Sequence, residues 1–236
     1  MKNLFGIVAL SAAAGLAAAD VRIIHASPDT GAVDLYVNEA PDGSPFLSGL
    51  TFPNDTGYVD LATGTYDFFV TPAGQTAPIA IDLSGTAIDE NVDISVFAID
   101  FFANIRAGVY VDDRVSVADK SKVRFIHLSP DAGTVDVQFD NAGGVVFDDY
   151  VFEQASGYLE LDPGTLDLEA VALDLGGAVI DLDPINLQAG FNYTVAALGS
   201  VNQGNFQVKV LVDATPAPGS LGLLALGGLA ATRRRR

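Results

Sequence analysis

A histidine, a serine and an aspartate fall within five residues at His25-Ala26-Ser27-Pro28-Asp29. The same types return at His127, Ser129, Pro130 and Asp131. In a nucleophilic site Ser27 would attack, His25 would act as base and Asp29 would orient the imidazole. The spacing opposes that chemistry. On a strand, positions i and i+2 share a face but stand about 6–7 Å apart. Pro28 then starts a turn that points Asp29 elsewhere, and no Gly-x-Ser-x-Gly elbow is present. Structural roles suit these residues better. Pro28 and Pro130 fix φ, while Asp29 and Asp131 are expected to bond their own turn backbone. His25 and His127 can tie a loop carbonyl through a ring N–H. Arg22 and Arg124 are expected to pair with Asp34 and Asp136. The chain is therefore expected to be non-catalytic and to carry no cofactor.

These residues belong to a longer repeat. VRIIHASPDTGAVDLYV, from Val21, and VRFIHLSPDAGTVDVQF, from Val123, agree at ten of seventeen positions. TGYVDLATGTYD from Thr56 is echoed by SGYLELDPGTLD from Ser156, NVDISVFAID by FNYTVAALGS, and GVYVDD by KVLVDA. A repeat of this length is a tandem domain rather than a solenoid unit. It predicts domains over 20–118 and 121–214, flanked by segments 1–19 and 215–236.

Each copy reads as strands. Val33, Leu35 and Val37 alternate with polar positions, as do Val135, Val137 and Phe139. Tyr66, Phe68 and Val70 form another such face, as do Val92, Ile94, Val96 and Ala98, and Val208, Val210 and Val212. VRIIHA is apolar on both faces, as a covered interior strand would be. The run from Phe97 to Phe102 fits a core strand with interdomain packing. Short strands separated by Gly, Pro and Asp turns predict an all-β chain of two tandem β-sandwiches, immunoglobulin-like or transthyretin-like. No Cys…Trp…Cys pattern is present.

Composition narrows the ligands. Acidic residues number 30 against 12 basic ones, and only seven of the basic ones lie between Asp20 and Asp213. Such a body repels nucleic acid and anionic membranes. With no cysteine and only two histidines, one per repeat, zinc is excluded as an expected ligand. Oxygen ligands for calcium are plentiful at Asp112, Asp113, Asp148, Asp149, Asp174, Asp181 and Asp183, but no EF-hand loop occurs. No metal site is expected. Tyr36, Tyr58, Tyr110 and Tyr158 could stack on a sugar, although Tyr58 and Tyr158 share a Gly-Tyr setting that suggests packing.

Both ends read as addresses. Lys2, the apolar run Leu4 to Leu16 and Ala17-Ala18-Ala19 form a Sec-type signal peptide, with cleavage expected between Ala19 and Asp20. At the other end Pro216, Ala217 and Pro218 precede an apolar run, Ser220 to Thr232, expected to be a hydrophobic helix, and then Arg233, Arg234, Arg235 and Arg236. Thirteen helical residues span about 20 Å, short of the bilayer's roughly 30 Å core. The arginines would stay cytoplasmic and leave the acidic body outside.

This tail resembles the PEP-CTERM sorting signal, with Ala217 where that family usually has glutamate. The resemblance implies removal by an exosortase-type enzyme and delivery to the cell surface or an exopolysaccharide matrix. V-R-x-x-H-x-S-P-D-x-x-x-V-D, followed by G-Y-x-x-[LV] and G-T-x-D, is similar to domain-of-unknown-function family 4397 in both copies. That family is seen in secreted and surface bacterial proteins, often in tandem, and implies no established activity. The expected partners are a signal peptidase and an exosortase, with exopolysaccharide or surface proteins beyond. A structural or adhesive exported protein is the first expectation, and a polysaccharide- or calcium-binding module the second.

Overall fold

The computed structural model describes residues 18–140, 144–181 and 184–215. Most of the expected leader, the tail with Pro216, Ala217, Pro218 and Arg233 to Arg236, and Asp183 lie outside the described residues. Among them the chain is all-β, with two 3-10 turns and no α-helix.

Eight strands make the first unit: β1 (Ala18–His25), β2 (Val33–Val37), β3 (Leu47–Leu50), β4 (Asp55–Ala62), β5 (Gly64–Pro72), β6 (Ile81–Ile88), β7 (Ile94–Ile99) and β8 (Arg106–Val111). They form two sheets, ordered β4-β1-β7-β8 and β3-β2-β5-β6. β1 and β7 run parallel, with Val21 opposite Ile94. Val21, Val33, Leu35, Phe68, Val70 and Ile81 meet between the sheets as an apolar core. In the immunoglobulin order the first two strands are neighbours in one sheet. Here β1 and β2 lie in different sheets, so the expected likeness holds at the level of two packed sheets and not of strand order.

The second unit repeats the pattern with β9 (Ser121–His127), β10 (Val135–Phe139), β11 (Val145–Tyr150), β12 (Leu159–Leu161), β13 (Gly164–Leu166), β14 (Leu168–Ala172), β15 (Ala178–Asp181), β16 (Ile185–Leu187), β17 (Asn192–Leu198) and β18 (Gln207–Ala214). Its sheets are β12-β9-β17-β18 and β11-β10-β14-β15, and β13 pairs separately with β16. The first unit's continuous β5 and β6 are each broken in two here. Phe125, Phe147, Leu168, Tyr193 and Val195 anchor this core.

The units meet through the sheets that contain β1 and β9. Ile24, Phe97, Ile99, Ile126, Leu128 and Leu198 form a third buried cluster drawn from both units. β1, β7, β9 and β17 are thus covered on both faces, which is why their sequences carry apolar side chains at odd and even positions. The third cluster also gives the last strand a second buried face beside the expected one, on which Val208 packs against the second unit's core. Val210 and Val212 are 41% and 44% exposed, while Leu211 and Asp213 are buried. The second unit's inner face was not the only apolar environment available to β18; the neighbouring unit supplied another.

Because one cluster belongs to both units, they are expected to unfold in a single denaturant transition. Phe97 is fully buried in that cluster. Phe97→Ala should lower stability by about 3–5 kcal/mol without splitting the transition. Two resolved transitions in urea would show that the units are energetically independent.

Candidate functional site: a reciprocal ion-pair hub between the units

The residues expected to do chemistry or hold turns sit at the ends of β1 and β9. His25 Nε2 lies 2.9 Å from Gly31 O and His127 Nε2 lies 2.8 Å from Gly133 O. A carbonyl only accepts, so Nε2 carries the proton in both rings. Both rings are fully buried. Burial pushes each imidazole below its ordinary pKa, although the backbone hydrogen bonds work against it. Ser27 shares a 2.6 Å hydrogen bond with Thr30 Oγ1, not with His25. Ser129 donates a long bond to Asp131, at 3.5 Å. Neither hydroxyl is joined to an imidazole; only the Ser129 backbone N–H reaches His127 Nδ1, at 3.4 Å.

The aspartates of the turn reach farther than their own backbone. Asp29 accepts the Phe102 N–H at 2.7 Å, from the loop after β7. Asp131 accepts from Ser200 Oγ at 2.6 Å and from the Val201 and Asn202 N–H groups. Burial alone would raise the Asp131 carboxyl, but these donors outweigh it and hold the pKa below the ordinary value. Pro28 is buried and its carbonyl accepts from Asn205 Nδ2 of the second unit at 2.9 Å. Pro130 is half-buried at the matching turn.

The expected pairs Arg22–Asp34 and Arg124–Asp136 do not form. Asp34 instead accepts the Gly49 and Gly74 N–H groups at 2.8 and 2.7 Å, and Asp136 accepts the Asp149 N–H at 2.7 Å. The reason is strand geometry. Arg22 faces the other unit, whereas Asp34 lies in the opposite sheet of its own unit, beyond the core.

Each arginine pairs with the other unit's last strand. Arg22 Nη2 lies 2.6 Å from Asp213 Oδ1, and Arg124 Nη2 binds Asp112 Oδ1. Arg22 donates to Ser95 Oγ and Val212 O; Arg124 donates to Thr194 Oγ1 and Val111 O. Asp112 Oδ2 accepts from Tyr58 OH and Ser95 Oγ, each at 2.7 Å. Asp213 Oδ2 accepts from Tyr158 OH at 2.8 Å and Thr194 Oγ1 at 2.6 Å. The Arg22 guanidinium stacks over Tyr58 at 4.5 Å and that of Arg124 over Tyr158 at 5.0 Å. The two halves match group for group, with Ser95 exchanged for Thr194.

All four charged side chains are at most 3% exposed. Burial raises the Asp213 carboxyl above its ordinary pKa, against the pull of Arg22, Thr194 and Arg124. Burial likewise pushes the Tyr58 and Tyr158 hydroxyls far up. The hub therefore holds two neutral phenols as donors and leaves no free base or nucleophile. Arg114 caps its rim: it stacks over Tyr58, binds Asp20 and donates to Asp213 O.

This placement revises the candidate ligand sets. Asp112 belongs to the hub and Asp113 pairs with Lys122 at 2.7 Å. Asp174 accepts the Thr134 N–H, and Asp181 ends β15. Asp148 and Asp149 come together with Asp136, their nearest oxygens within 4.8 Å of one another. Tyr36 is buried, and Tyr110 donates to Glu153 O of the second unit. Tyr58 and Tyr158 are hub donors, so none of the four tyrosines is a free platform. Asp112 and Asp213 were missed as partners in the sequence. Their signal was an Asp at the same place in GVYVDD and KVLVDA, together with an equally repeated Arg.

Fold and hub define a chain of two like β units joined face to face. The model of the family described as Domain of unknown function (DUF4397) matches residues 19–138 and 139–223, and the chain belongs to that family. The second match starts at the last residue of β10, inside the second unit. No relative was found among curated proteins. Among solved structures, candidate cell adhesion proteins of Bacteroides uniformis and Bacteroides ovatus share 8% and 10% identity. They cover 83% and 85% of this chain and 98% and 99% of their own, with TM-scores of 0.25 and 0.27. A CBM26 module of Eubacterium rectale Amy13K, solved with maltoheptaose, shares 11% identity over 85% of this chain and 99% of its own, at a TM-score of 0.25. Scores this low carry no argument about function.

Two outcomes are expected. Asp213→Ala strands the buried Arg22 charge and should cost about 3–5 kcal/mol by chemical denaturation, whereas Arg22→Met with Asp213→Leu should be close to neutral. A cost below about 1 kcal/mol for the single change would show that the hub does not hold the units. The histidines set an acid limit. Their folded pKa lies below the unfolded value of about 6.5, so the unfolded chain binds more protons as pH falls. The stability they contribute is fully present above that value and is lost as pH drops through it. A urea-midpoint series from pH 7.5 to 4.5 should fall, and replacing both histidines with Gln should flatten that part of the profile.

Proposed function

We propose that the chain is an exported, non-catalytic bacterial surface or extracellular-matrix protein that acts structurally or adhesively. Its units are read as transthyretin-like sandwiches presented as one rigid pair. The observation that carries this reading is the commitment of every candidate catalytic group. Both imidazoles are tied to loop carbonyls, Ser27 is tied to Thr30, and the buried carboxylates are tied to arginine. An acidic, cysteine-free body suits a solvated extracellular setting. The leader and the arginine-terminated tail supply the route, through a signal peptidase and an exosortase-type enzyme. Removal of the leader would leave β1 to begin at Asp20.

The second reading is a polysaccharide- or calcium-binding module. The cluster of Asp136, Asp148 and Asp149 favours its calcium form, and the occupied tyrosines weaken its sugar form.

Fractionating cells and taking the intact mass of the mature protein tests the first reading. It expects surface or matrix material starting at Asp20 and lacking the arginine tail. Cytoplasmic, full-length protein would overturn it. A calcium-dependent rise in melting temperature, lost in Asp148→Asn, would favour the second.

A further inference from the structure

The first unit holds an apolar space in its core. Between its sheets lies a cavity of about 190 Å3. It reaches the surface at Ala87 and Val109, on the edge strands β6 and β8. Its walls include Val21, Ile23, Phe68, Ile81, Ile94 and Val96. The one lining residue with a polar side chain is Thr86, and its hydroxyl already donates to Leu83 O at 2.8 Å. A buried water needs two to four polar partners, and among the side chains of this wall only the Thr86 hydroxyl could serve as one.

The second unit carries larger residues at three of the matching positions. Strand register aligns Val21–Ile94 with Val123–Tyr193, and Ala98–Ala107 with Ala197–Val208. Phe125, Tyr193 and Val208 therefore stand where the first unit has Ile23, Ile94 and Ala107. Tyr193 is buried and stacks on Phe191 at 6.1 Å. Phe68 and Val70 return part of that volume to the first unit, where the second has Leu168 and Ala170. The cavity is what remains.

We propose that this cavity is a binding site for one small, uncharged apolar group: a single ring, or an alkyl chain of about six to eight carbons. An apolar cavity of about 150 Å3 stays dry and accepts benzene, so this volume takes a group of that size or slightly larger. No basic side chain lines it. Asp82, Asp89 and Glu90 stand exposed on and just after β6, so an anionic head group is repelled. The site is independent of the adhesive or structural reading, and either can fail alone.

The test is a benzene titration of the whole chain, followed by methyl NMR of Ile, Leu and Val, with benzoate as the charged control. Saturable shifts confined to Ile81, Ile94, Val96 and their neighbours are expected, with benzoate binding at least tenfold more weakly. Ile94→Tyr, which installs the second unit's residue, should weaken benzene binding at least tenfold in a chain that stays folded. Should that variant fail to fold, Ala107→Val fills the same space with the second unit's smaller change and should weaken binding in the same direction. No saturable shift up to the solubility limit of benzene would overturn the proposal. So would undiminished binding in a folded, filled variant. Equal binding of benzoate would overturn the preference for an uncharged group.

Discussion

A guanidinium removed from water must find a carboxylate, and in this chain each one finds it in the other unit. Arg22 sits on a strand covered on both faces, so its charge can neither reach solvent nor be left unpaired. Among the described residues its ion-pair partner is Asp213, near the end of the last described strand. Arg124 and Asp112 repeat the arrangement with the units exchanged. The pairs link one unit's first strand to the other's last strand. Correct docking is thereby coupled to completion of both sheets, since β8 and β18 must be in register for either aspartate to arrive. The apolar cluster beneath supplies burial; the hub supplies orientation. Charge pairs of this kind often add little net stability over a well-packed apolar substitute. Their effect is to make a shifted docking of the same two faces leave four charges buried without partners.

Much of this was legible as pattern and little as pairing. Period-two alternation located β2, β5, β7 and β10 because each turns alternate side chains onto its own unit's core. The two-sided apolarity of VRIIHA revealed an interior strand, and the duplication revealed that there would be two of them. What failed was everything that depends on which strand lies across a core. Arg22 was assigned to Asp34 because the two lie twelve positions apart in one motif, yet β1 and β2 belong to different sheets. On β18 the valine face was found, with Val208 on the core, but its other face, which carries Leu211 and Asp213, was not. Burial of Leu211 and Asp213 follows from a neighbour that no periodicity announces.

The histidines show the opposite balance. Their short-range role follows from local chain direction, since a ring at a strand end meets the carbonyl of the turn six residues on. The aspartates of the same motif bind the loop after β7 or β17, which lies about seventy residues away in sequence. Side chains that act within one turn could be placed from the sequence, and side chains that bridge parallel strands could not.

The divergence between the copies follows the same physics. At the shared interface a change in one copy must be accommodated by the other. Arg22 and Arg124, Ile24 and Ile126, His25 and His127, Tyr58 and Tyr158, and Asp112 and Asp213 have kept their types. Where sizes do change there, they trade: Ala26 and Phe97 in one unit stand against Leu128 and Ala196 in the other, within one cluster. The outer cores carry no such constraint. Ile23, Leu47, Leu50 and Ile94 of the first unit face Phe125, Phe147, Tyr150 and Tyr193 at matching register in the second. The aromatic set packs ring on ring, with Phe125 and Phe147 stacked at 5.6 Å and Tyr150 edge-on to both. The aliphatic set leaves space. A duplicated fold tied together through one face is free to differ in function only through the other, and that is where these two units differ.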